Sequence, residues 1–259
     1  MKVSFRLLSL FLVLLLSVIA CSTAAKEKKG KQAVAYRELA EAYFFERQYT
    51  LALQELLKAE KLRPDSPAIH NDLGLIYMMK EQLDLSVQHF KTAIELKPDY
   101  PQAINNLATA LLKKQEWDEA ILYLDQLIKN LVYTTPQNPL VNLGWAYFNK
   151  KDYVRAEKYY KLAIKHYDDG FPKDMTLIRA LGGLGRTHIA TGNFARALSV
   201  LSRAAKEAPE IPDTYFYMGR AYEKAGHLKD AKMAYLKVID VAPDSEIANK
   251  AARAALKLQ

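Results

Sequence analysis

Small residues recur at regular intervals through this 259-residue chain, and this repetition constrains the fold more than any other feature. Successive members of the first series are 34, 34, 36, 41 and 34 residues apart. That series consists of Ala40, Gly74, Ala108, Gly144, Gly185 and Gly219. A second small residue follows twelve positions later in every unit, at Ala52, Ser86, Ala120, Ala156, Ala197 and Ala231. Small side chains let helices approach closely, so the pattern predicts a tandem array of similar helical units.

Apolar residues within one unit fall three or four positions apart, as on one face of a helix. The second unit has two such stripes, one with Leu73, Ile76 and Tyr77 and the other with Val87, Phe90 and Ile94. A single helical hairpin cannot bury both stripes, so successive units must stack and share a core. Proline disfavours a continuing helix, and it closes four of the units, at Pro64, Pro98, Pro209 and Pro243.

An aromatic or bulky residue follows each first small residue by three positions, at Tyr43, Tyr77, Leu111, Tyr147, His188 and Tyr222. Together with the small residues and the terminal prolines, this pattern resembles the tetratricopeptide repeat. The resemblance implies an all-α fold, a right-handed superhelical solenoid of helix-turn-helix repeats with one concave face. Six repeats are expected, at residues 33–66, 67–100, 101–136, 137–170, 178–211 and 212–245. Residues 246–259 are predicted to form a capping helix with Ile247, Ala251 and Leu256 inward and Lys250, Arg253 and Lys257 outward.

The first 20 residues are typical of a secretory signal peptide. Lys2 and Arg6 precede an apolar run of thirteen residues, Leu7–Ile19, which is short for a membrane span. The run ends in the tetrapeptide Val18–Cys21, which resembles a bacterial lipobox. That resemblance implies cleavage before Cys21 and acylation of Cys21, the only cysteine in the chain, with fatty acids such as palmitate. Residues 21–32 are then a lipidated cysteine followed by a basic tether.

The residue after the cysteine bears on the destination of the lipoprotein. Ser22 is not the aspartate that resembles an inner-membrane retention signal, so we predict an outer-membrane lipoprotein that faces the periplasm. Without the leader, 35 basic residues stand against 29 acidic ones, a net charge of +6 that is scattered along the chain. Scattered charges indicate solvated helix faces, and nucleic acid is not expected as a partner. The protein is expected to be a monomer.

No combination of residues indicates catalysis, so neither an enzyme nor a cofactor is predicted. The five histidines include no pair at the spacing of helical metal ligands, and His188 occupies the aromatic core position, which favours a structural role over metal binding. The glycine cluster Gly182–Gly185 superficially resembles a phosphate-binding loop. It falls inside a predicted repeat helix with no preceding strand, where Gly185 is the expected small residue.

In tetratricopeptide proteins the concave groove is lined by fixed positions of each repeat. Transferred one by one, those positions predict a protein-binding site made of Phe44, Phe45, Asn71, Leu75, Met78, Met79, Asn105, Leu112, Trp145 and Phe148. Most of these residues are apolar, and an exposed apolar groove usually marks a protein contact. The twelfth position of each repeat could instead pack against the neighbouring helix. In the last two repeats the groove positions become charged, with Arg179, Arg186 and Arg220.

Six such repeats behind a lipobox resemble the pilotins of type IV pilus systems, the PilF/PilW/Tgl family. The segment from Asn130 to Gly144, with its Tyr133 and Pro136, supports this resemblance, as does the segment Ile104–Leu107. The resemblance implies a non-enzymatic protein that binds secretin subunits and helps them assemble in the outer membrane for pilus biogenesis. Extra residues before the fifth repeat, around Asp169 to Thr176, depart from that family's pattern and are expected to form a loop.

Two other functions remain open on the sequence. One is a periplasmic scaffold lipoprotein that recruits peptidoglycan hydrolases or other envelope machinery. The other is a subunit of an outer-membrane protein assembly machine, although such subunits usually have five repeats.

Overall fold

The structure, a computed structural model, describes residues 26–129, 136–168 and 173–258. Within these ranges all regular secondary structure is helical, in thirteen helices, and no strand occurs. None of the helices in this part of the chain is both long enough and apolar enough to cross a bilayer. The predicted signal peptide, Cys21, Ser22 and Tyr133 lie outside the described residues.

The helices are connected in pairs by short turns. The first helix, α1, is described over residues 26–45. The others are α2 Tyr49–Leu62, α3 Pro67–Met79, α4 Leu83–Leu96, α5 Pro101–Lys113, α6 Trp117–Lys129, α7 Gln137–Asn149, α8 Tyr153–Asp168, α9 Met175–Ala190, α10 Phe194–Glu207, α11 Pro212–Lys224, α12 Leu228–Val241 and α13 Glu246–Leu256. Each predicted repeat contains one pair, and the all-α tetratricopeptide fold is confirmed.

The described part of the chain forms two compact units, with the boundary between Ala110 and Leu111, inside α5. In the first unit α3 packs against both α2 and α4. In the second unit each helix from α6 to α13 packs against the next. The first helices of successive repeats also contact one another there, α7 with α9 and α9 with α11. First helices therefore stand side by side, as in stacked helical hairpins.

Every small residue of the two predicted series is buried. Each glycine of the first series packs against a bulky side chain of the second helix of the same repeat, 16 residues further along the chain. A Cβ atom added to Gly74 would lie 2.6 Å from the Phe90 ring, and one added to Gly219 would lie 2.6 Å from the Tyr235 ring. Gly144 faces Tyr160 and Gly185 faces Leu201 in the same way. These glycines let each hairpin close around a large apolar side chain.

Ser86 is the one polar member of the second small-residue series. Its hydroxyl donates a hydrogen bond of 2.8 Å to the Gly74 carbonyl. A buried hydroxyl with such a partner costs little, so the serine is tolerated for its bonding as well as for its size.

The turn between the two helices of each repeat contains one residue in the left-handed backbone region. Gly192 and Gly226 hold this position in the last two repeats, with φ of 77° and 82°. The other four repeats place a residue with a side chain there, with φ between 60° and 64°: Arg47, Glu81, Gln115 and Lys151. The next residue donates its N–H to the carbonyl of the aromatic position, as Gln82 does to Tyr77 at 2.9 Å. This is the Schellman arrangement that ends many helices.

Glycine should therefore be better than the native residue in these four turns. A left-handed conformation costs an L-residue about 1–2 kcal/mol, and glycine loses part of that advantage because it is more flexible when unfolded. We expect Glu81→Gly to raise the free energy of unfolding by about 0.5–1 kcal/mol and Gly226→Ala to lower it by about 1 kcal/mol, both measured by urea denaturation. Glu81→Ala is the control and should give no gain. An equal gain from Glu81→Ala would show that loss of the glutamate side chain, not backbone strain, is the cause.

Three expectations need correction. Residues 26–32, predicted as part of a basic tether, continue α1 as a helix, in which Glu27 and Lys31 form an i,i+4 ion pair of 2.7 Å. Leu256, predicted to face inward, is 66% exposed, because α13 buries the face that carries Ala248, Ala251 and Ala255. Leu256 is one position further and is rotated away from that face.

The extra residues before the fifth repeat differ from the expected loop only in part. Residues 173 and 174 are not helical, whereas Met175 and Thr176 lengthen α9, which has 16 residues. The Asp174 carboxylate caps the added turn of α9 by accepting hydrogen bonds from the Thr176 and Leu177 amides, at 2.7 and 3.3 Å. Residues 169–172 lie outside the described part of the chain.

His188, at the aromatic position of the fifth repeat, is buried, and its Nδ1 atom has no hydrogen-bond partner among the described residues. Burial lowers the pKa of His188, although the Glu157 carboxylate opposes the shift. Since the folded state resists protonation, the unfolded state binds more protons once the pH falls below about 6.5. His188 therefore makes the fold less stable as the pH falls through that value.

We expect His188→Phe to remove this acid sensitivity. The gain in the free energy of unfolding should be about 1 kcal/mol larger near pH 5 than near pH 7.5, measured by urea denaturation at both values. The exposed His227, changed to Phe, is the matched control. Equal effects of His188→Phe at the two pH values would contradict the assignment.

Candidate client-binding surfaces

In the first unit, aromatic side chains at the end of α1 border a cavity of about 220 Å³. Phe44, Phe45 and Leu75 line it together with the charged residues Arg37 and Asp72. The Phe45 side chain is 75% exposed, and its ring stands at 74° to the Phe44 ring with 6.1 Å between centroids. We call Phe44, Phe45 and Leu75 the Phe45 surface. An exposed aromatic edge beside a concavity can receive an apolar side chain of another protein.

Polar pairs at about one repeat's spacing join neighbouring repeats beneath this surface. Arg37 of the first repeat forms an ion pair with Asp72 of the second. Asn106 of the third repeat donates a 3.0 Å hydrogen bond to the Asn71 side chain of the second, and Asn71 in turn donates to Asp72 at 3.3 Å. Burial raises the pKa of Asp72, although the Arg37 guanidinium opposes the shift. The chain of contacts fixes the three first helices side by side.

Similar pairs occur in the second unit. Arg203 donates to Asp168 at 2.7 Å, Lys173 to Glu207 at 2.7 Å and Tyr159 to Asp125 at 3.4 Å. Their members are 34 or 35 residues apart, which is close to the length of one repeat.

The second unit has a larger cavity, of about 530 Å³, along its first helices. Trp145 lines it from α7, Met175 and Arg186 from α9, and Tyr217 from α11. We call Trp145, Phe148, Met175, Arg186 and Tyr217 the Trp145 surface. Met175 is 52% exposed, and the Trp145 ring contacts the Trp117 ring edge-on at 6.1 Å. The cavity is therefore apolar on several sides and is lined by residues of three successive repeats.

A cation lies among the aromatic rings of this surface. The Arg186 guanidinium carbon is 4.8 Å from the Phe148 ring centre and 5.2 Å from the Tyr217 ring centre. Two aromatic faces hold the side chain in place while its N–H groups keep the capacity to donate. Arg179 also lines the cavity and donates a 3.0 Å hydrogen bond to Asn142. Among the residues that line the cavity, Asp213 is the one acidic residue, and Arg179 and Arg186 are the basic ones. The cavity therefore favours a ligand that combines apolar side chains with a carboxylate.

The structure places the ten predicted binding residues in different environments. Phe44, Phe45, Leu75, Met79 and Asn105 are at least partly accessible in the first unit, as are Trp145 and Phe148 in the second. Three others are not free to contact a client. Leu112 is 1% exposed, Met78 is buried as well, and Asn71 is buried in the polar chain described above.

Met78 and Leu112 both occupy the twelfth position of their repeats, where packing against a neighbouring helix was the alternative role. The family positions also missed Met175 and Tyr217. Met175 belongs to the turn that the extra residues add to α9, so a fixed repeat register could not place it. The glycines of the cluster Gly182–Gly185 lie inside α9, as predicted, and two of them line the same cavity.

Family models match most of the chain. Models described as TPR repeat or tetratricopeptide repeat match residues 40–81, 76–115, 103–139, 138–169 and 188–256. No curated protein is a significant match to the sequence.

Several solved structures have the same fold. One is the crystal structure of PilW, described as a widely conserved type IV pilus biogenesis factor, with a TM-score of 0.76 and 19% identity over 85% of this chain and 98% of PilW. Another is PilF of Pseudomonas aeruginosa, with a TM-score of 0.70 and 15% identity over 87% of this chain and 99% of PilF. YrrB, described as a TPR protein with an unusual peptide-binding site, has a TM-score of 0.53 and 17% identity over 76% of this chain and 97% of YrrB.

The helix pairs, the buried small residues and the left-handed turns recur in every repeat, and the family matches cover the same residues. The chain belongs to the tetratricopeptide-repeat family, and type IV pilus biogenesis proteins of that family are among its structural neighbours.

Proposed function

We propose that this protein is a pilotin, a non-enzymatic outer-membrane lipoprotein that binds secretin subunits during type IV pilus biogenesis. One observation supports the proposal above all: PilW and PilF align with this chain over 98% and 99% of their own lengths. A match that included only some of the repeats would indicate no more than a shared module. Acylation of Cys21 and release from the signal peptide would anchor the chain on the periplasmic face.

The two candidate surfaces offer a physical basis for such a role. An unassembled secretin subunit has apolar segments destined for the membrane, and these need cover in an aqueous compartment. The Phe45 surface offers an exposed aromatic ring, and the Trp145 surface offers an apolar cavity with Arg186. A client segment with apolar side chains next to an acidic residue or a terminal carboxylate fits the second of these.

Deletion of the gene is the direct test. We expect the heat-resistant secretin multimers seen on denaturing gels to be lost and surface pili to be lost with them. Normal multimers together with normal pili would refute the pilotin function. If multimers are normal and purified protein instead retains peptidoglycan hydrolases, the scaffold alternative is the better description.

Surface variants test the binding residues separately. Phe45→Glu and Trp145→Glu place a charge on each candidate surface, and each should weaken secretin binding at least tenfold in a pull-down with purified components. Met233→Glu is the matched control, because Met233 is 70% exposed but belongs to the second helix of its repeat. Unchanged binding by both variants, with helical content retained, would exclude these surfaces.

The anchor has its own test. Cys21→Ala should release the protein from the membrane fraction into the soluble periplasm, because no acyl chain could then be attached. Continued sedimentation with outer membranes would show that Cys21 is not the anchor.

A further inference from the structure

Two histidines and a glutamate meet in the first unit, and none of them lines the cavity beside the Phe45 surface. Glu60 comes from the end of α2, His70 from α3 and His89 from α4, so three successive helices each contribute one side chain. The His70 and His89 Nδ1 atoms are 3.1 Å apart. A Glu60 carboxylate oxygen lies 3.6 Å from the first of these atoms and 4.0 Å from the second.

The ring of His70 is already oriented as a metal ligand. Its Nε2 atom lies 2.8 Å from the Pro64 carbonyl oxygen, which can only accept, so Nε2 carries the proton. The neutral ring therefore has its lone pair on Nδ1, the atom that faces His89 and Glu60. Metal-bound histidines commonly donate their second N–H to a backbone carbonyl in this way, which fixes the tautomer and the ring plane.

The ring of His89 is held between two others. It stacks on Tyr77 at 5.2 Å between centroids and on His70 at 5.4 Å. Without a metal ion, the His89 Nδ1–H donates a hydrogen bond to the His70 Nδ1 atom. For the His89 Nδ1 atom to bind a metal ion, its proton must move to the Nε2 atom of the same ring.

The separations are near those between the ligands of a tetrahedral ion. Zn²⁺ bonds to nitrogen and oxygen ligands are about 2.0–2.1 Å long, which places adjacent ligand atoms about 3.3–3.4 Å apart. The three observed separations, 3.1, 3.6 and 4.0 Å, lie on both sides of that value. Glu60 is the most accessible member, with 27% of its side chain exposed, so its carboxylate can adjust and an ion can enter from solvent.

We propose that Glu60, His70 and His89 bind one divalent transition-metal ion of the zinc class and so fasten the first repeat to the second. Two imidazoles and one carboxylate suit Zn²⁺ over the hard cations Mg²⁺ and Ca²⁺, which prefer sites made of oxygen atoms. Water completes the fourth position. The ion cross-links α2, α3 and α4, so it stabilises the first unit by binding the folded state alone.

Titration of the purified, EDTA-treated protein with ZnCl₂ tests the proposal. We expect one equivalent of Zn²⁺ to bind by calorimetry, with a higher midpoint of thermal unfolding. Co²⁺ in place of Zn²⁺ should give the visible absorption of a four-coordinate ion. His89→Gln and Glu60→Gln should each weaken binding at least tenfold, while the exposed His227→Gln leaves it unchanged.

The wild-type measurement decides the matter even if a variant fails to fold, which circular dichroism will show. Less than one equivalent of bound Zn²⁺ in the wild type, or full binding by a folded His89→Gln protein, would overturn the proposal. Neither result depends on secretin, so the metal site and the proposed function succeed or fail separately.

Discussion

Replacing Tyr160 with alanine is expected to lower the free energy of unfolding by about 3–5 kcal/mol, the range for removing a large buried aromatic side chain. Tyr160 projects from α8 and is 3% exposed. Its ring fills the space that a Cβ atom would need at Gly144 on α7 and at Gly183 on α9, with added-atom distances of 2.7 and 2.3 Å. One ring therefore packs against the first helices of two consecutive repeats, and its removal leaves a cavity at their junction.

Urea denaturation followed by circular dichroism measures this effect. Leu162→Ala is the control on the same helix, because Leu162 is 40% exposed, and it should cost no more than about 1 kcal/mol. If Tyr160→Ala cost as little as Leu162→Ala, the ring would not join the fourth and fifth repeats.

Two adjacent glycines should respond to alanine with opposite signs. At Gly183 the new methyl group would lie 2.3 Å from the Tyr160 ring. That ring cannot retreat freely because it also packs against Gly144. We expect Gly183→Ala to lower the free energy of unfolding by about 2 kcal/mol through overpacking. At Gly182 an added Cβ atom meets nothing within 4 Å.

Gly182→Ala should therefore be stabilising, by up to about 1 kcal/mol, since alanine is the better helix former. The pair controls itself, because both glycines lie in the middle of α9 and undergo the same chemical change. If both variants were stabilised in the same urea assay, the contact between α8 and α9 would have space for the added methyl group, and the predicted overpacking at Gly183 would be wrong.

The sequence predicted the fold well because repetition averages out local ambiguity. A lone Gly185 inside Gly182–Gly185 has several interpretations, but six small residues in register have only one. The same register could not identify their partners. Phe90, Tyr160, Leu201 and Tyr235 are merely apolar in sequence, and the structure shows that each enters the gap left by a glycine.

The candidate site was harder to predict because the repeat register gives the position of a residue within its repeat but not the burial of its side chain. Met78 and Phe148 hold the same place in their repeats, yet Met78 is buried and Phe148 is partly accessible. The extra residues before the fifth repeat shift Met175 onto the Trp145 surface, outside any fixed register. Glu60, His70 and His89 lie on three helices, so no spacing within one helix could indicate that they meet.

The polar pairs between consecutive repeats have a consequence for how such a chain can change length. Each pair takes a donor from one repeat and an acceptor from its neighbour, as Arg203 of the fifth repeat and Asp168 of the fourth do. The pairs differ from one junction to the next, since Tyr159 and Asp125 join the fourth repeat to the third. Removing or copying one repeat would bring together halves that belong to different junctions, so these contacts specify the order of the repeats as well as their stacking.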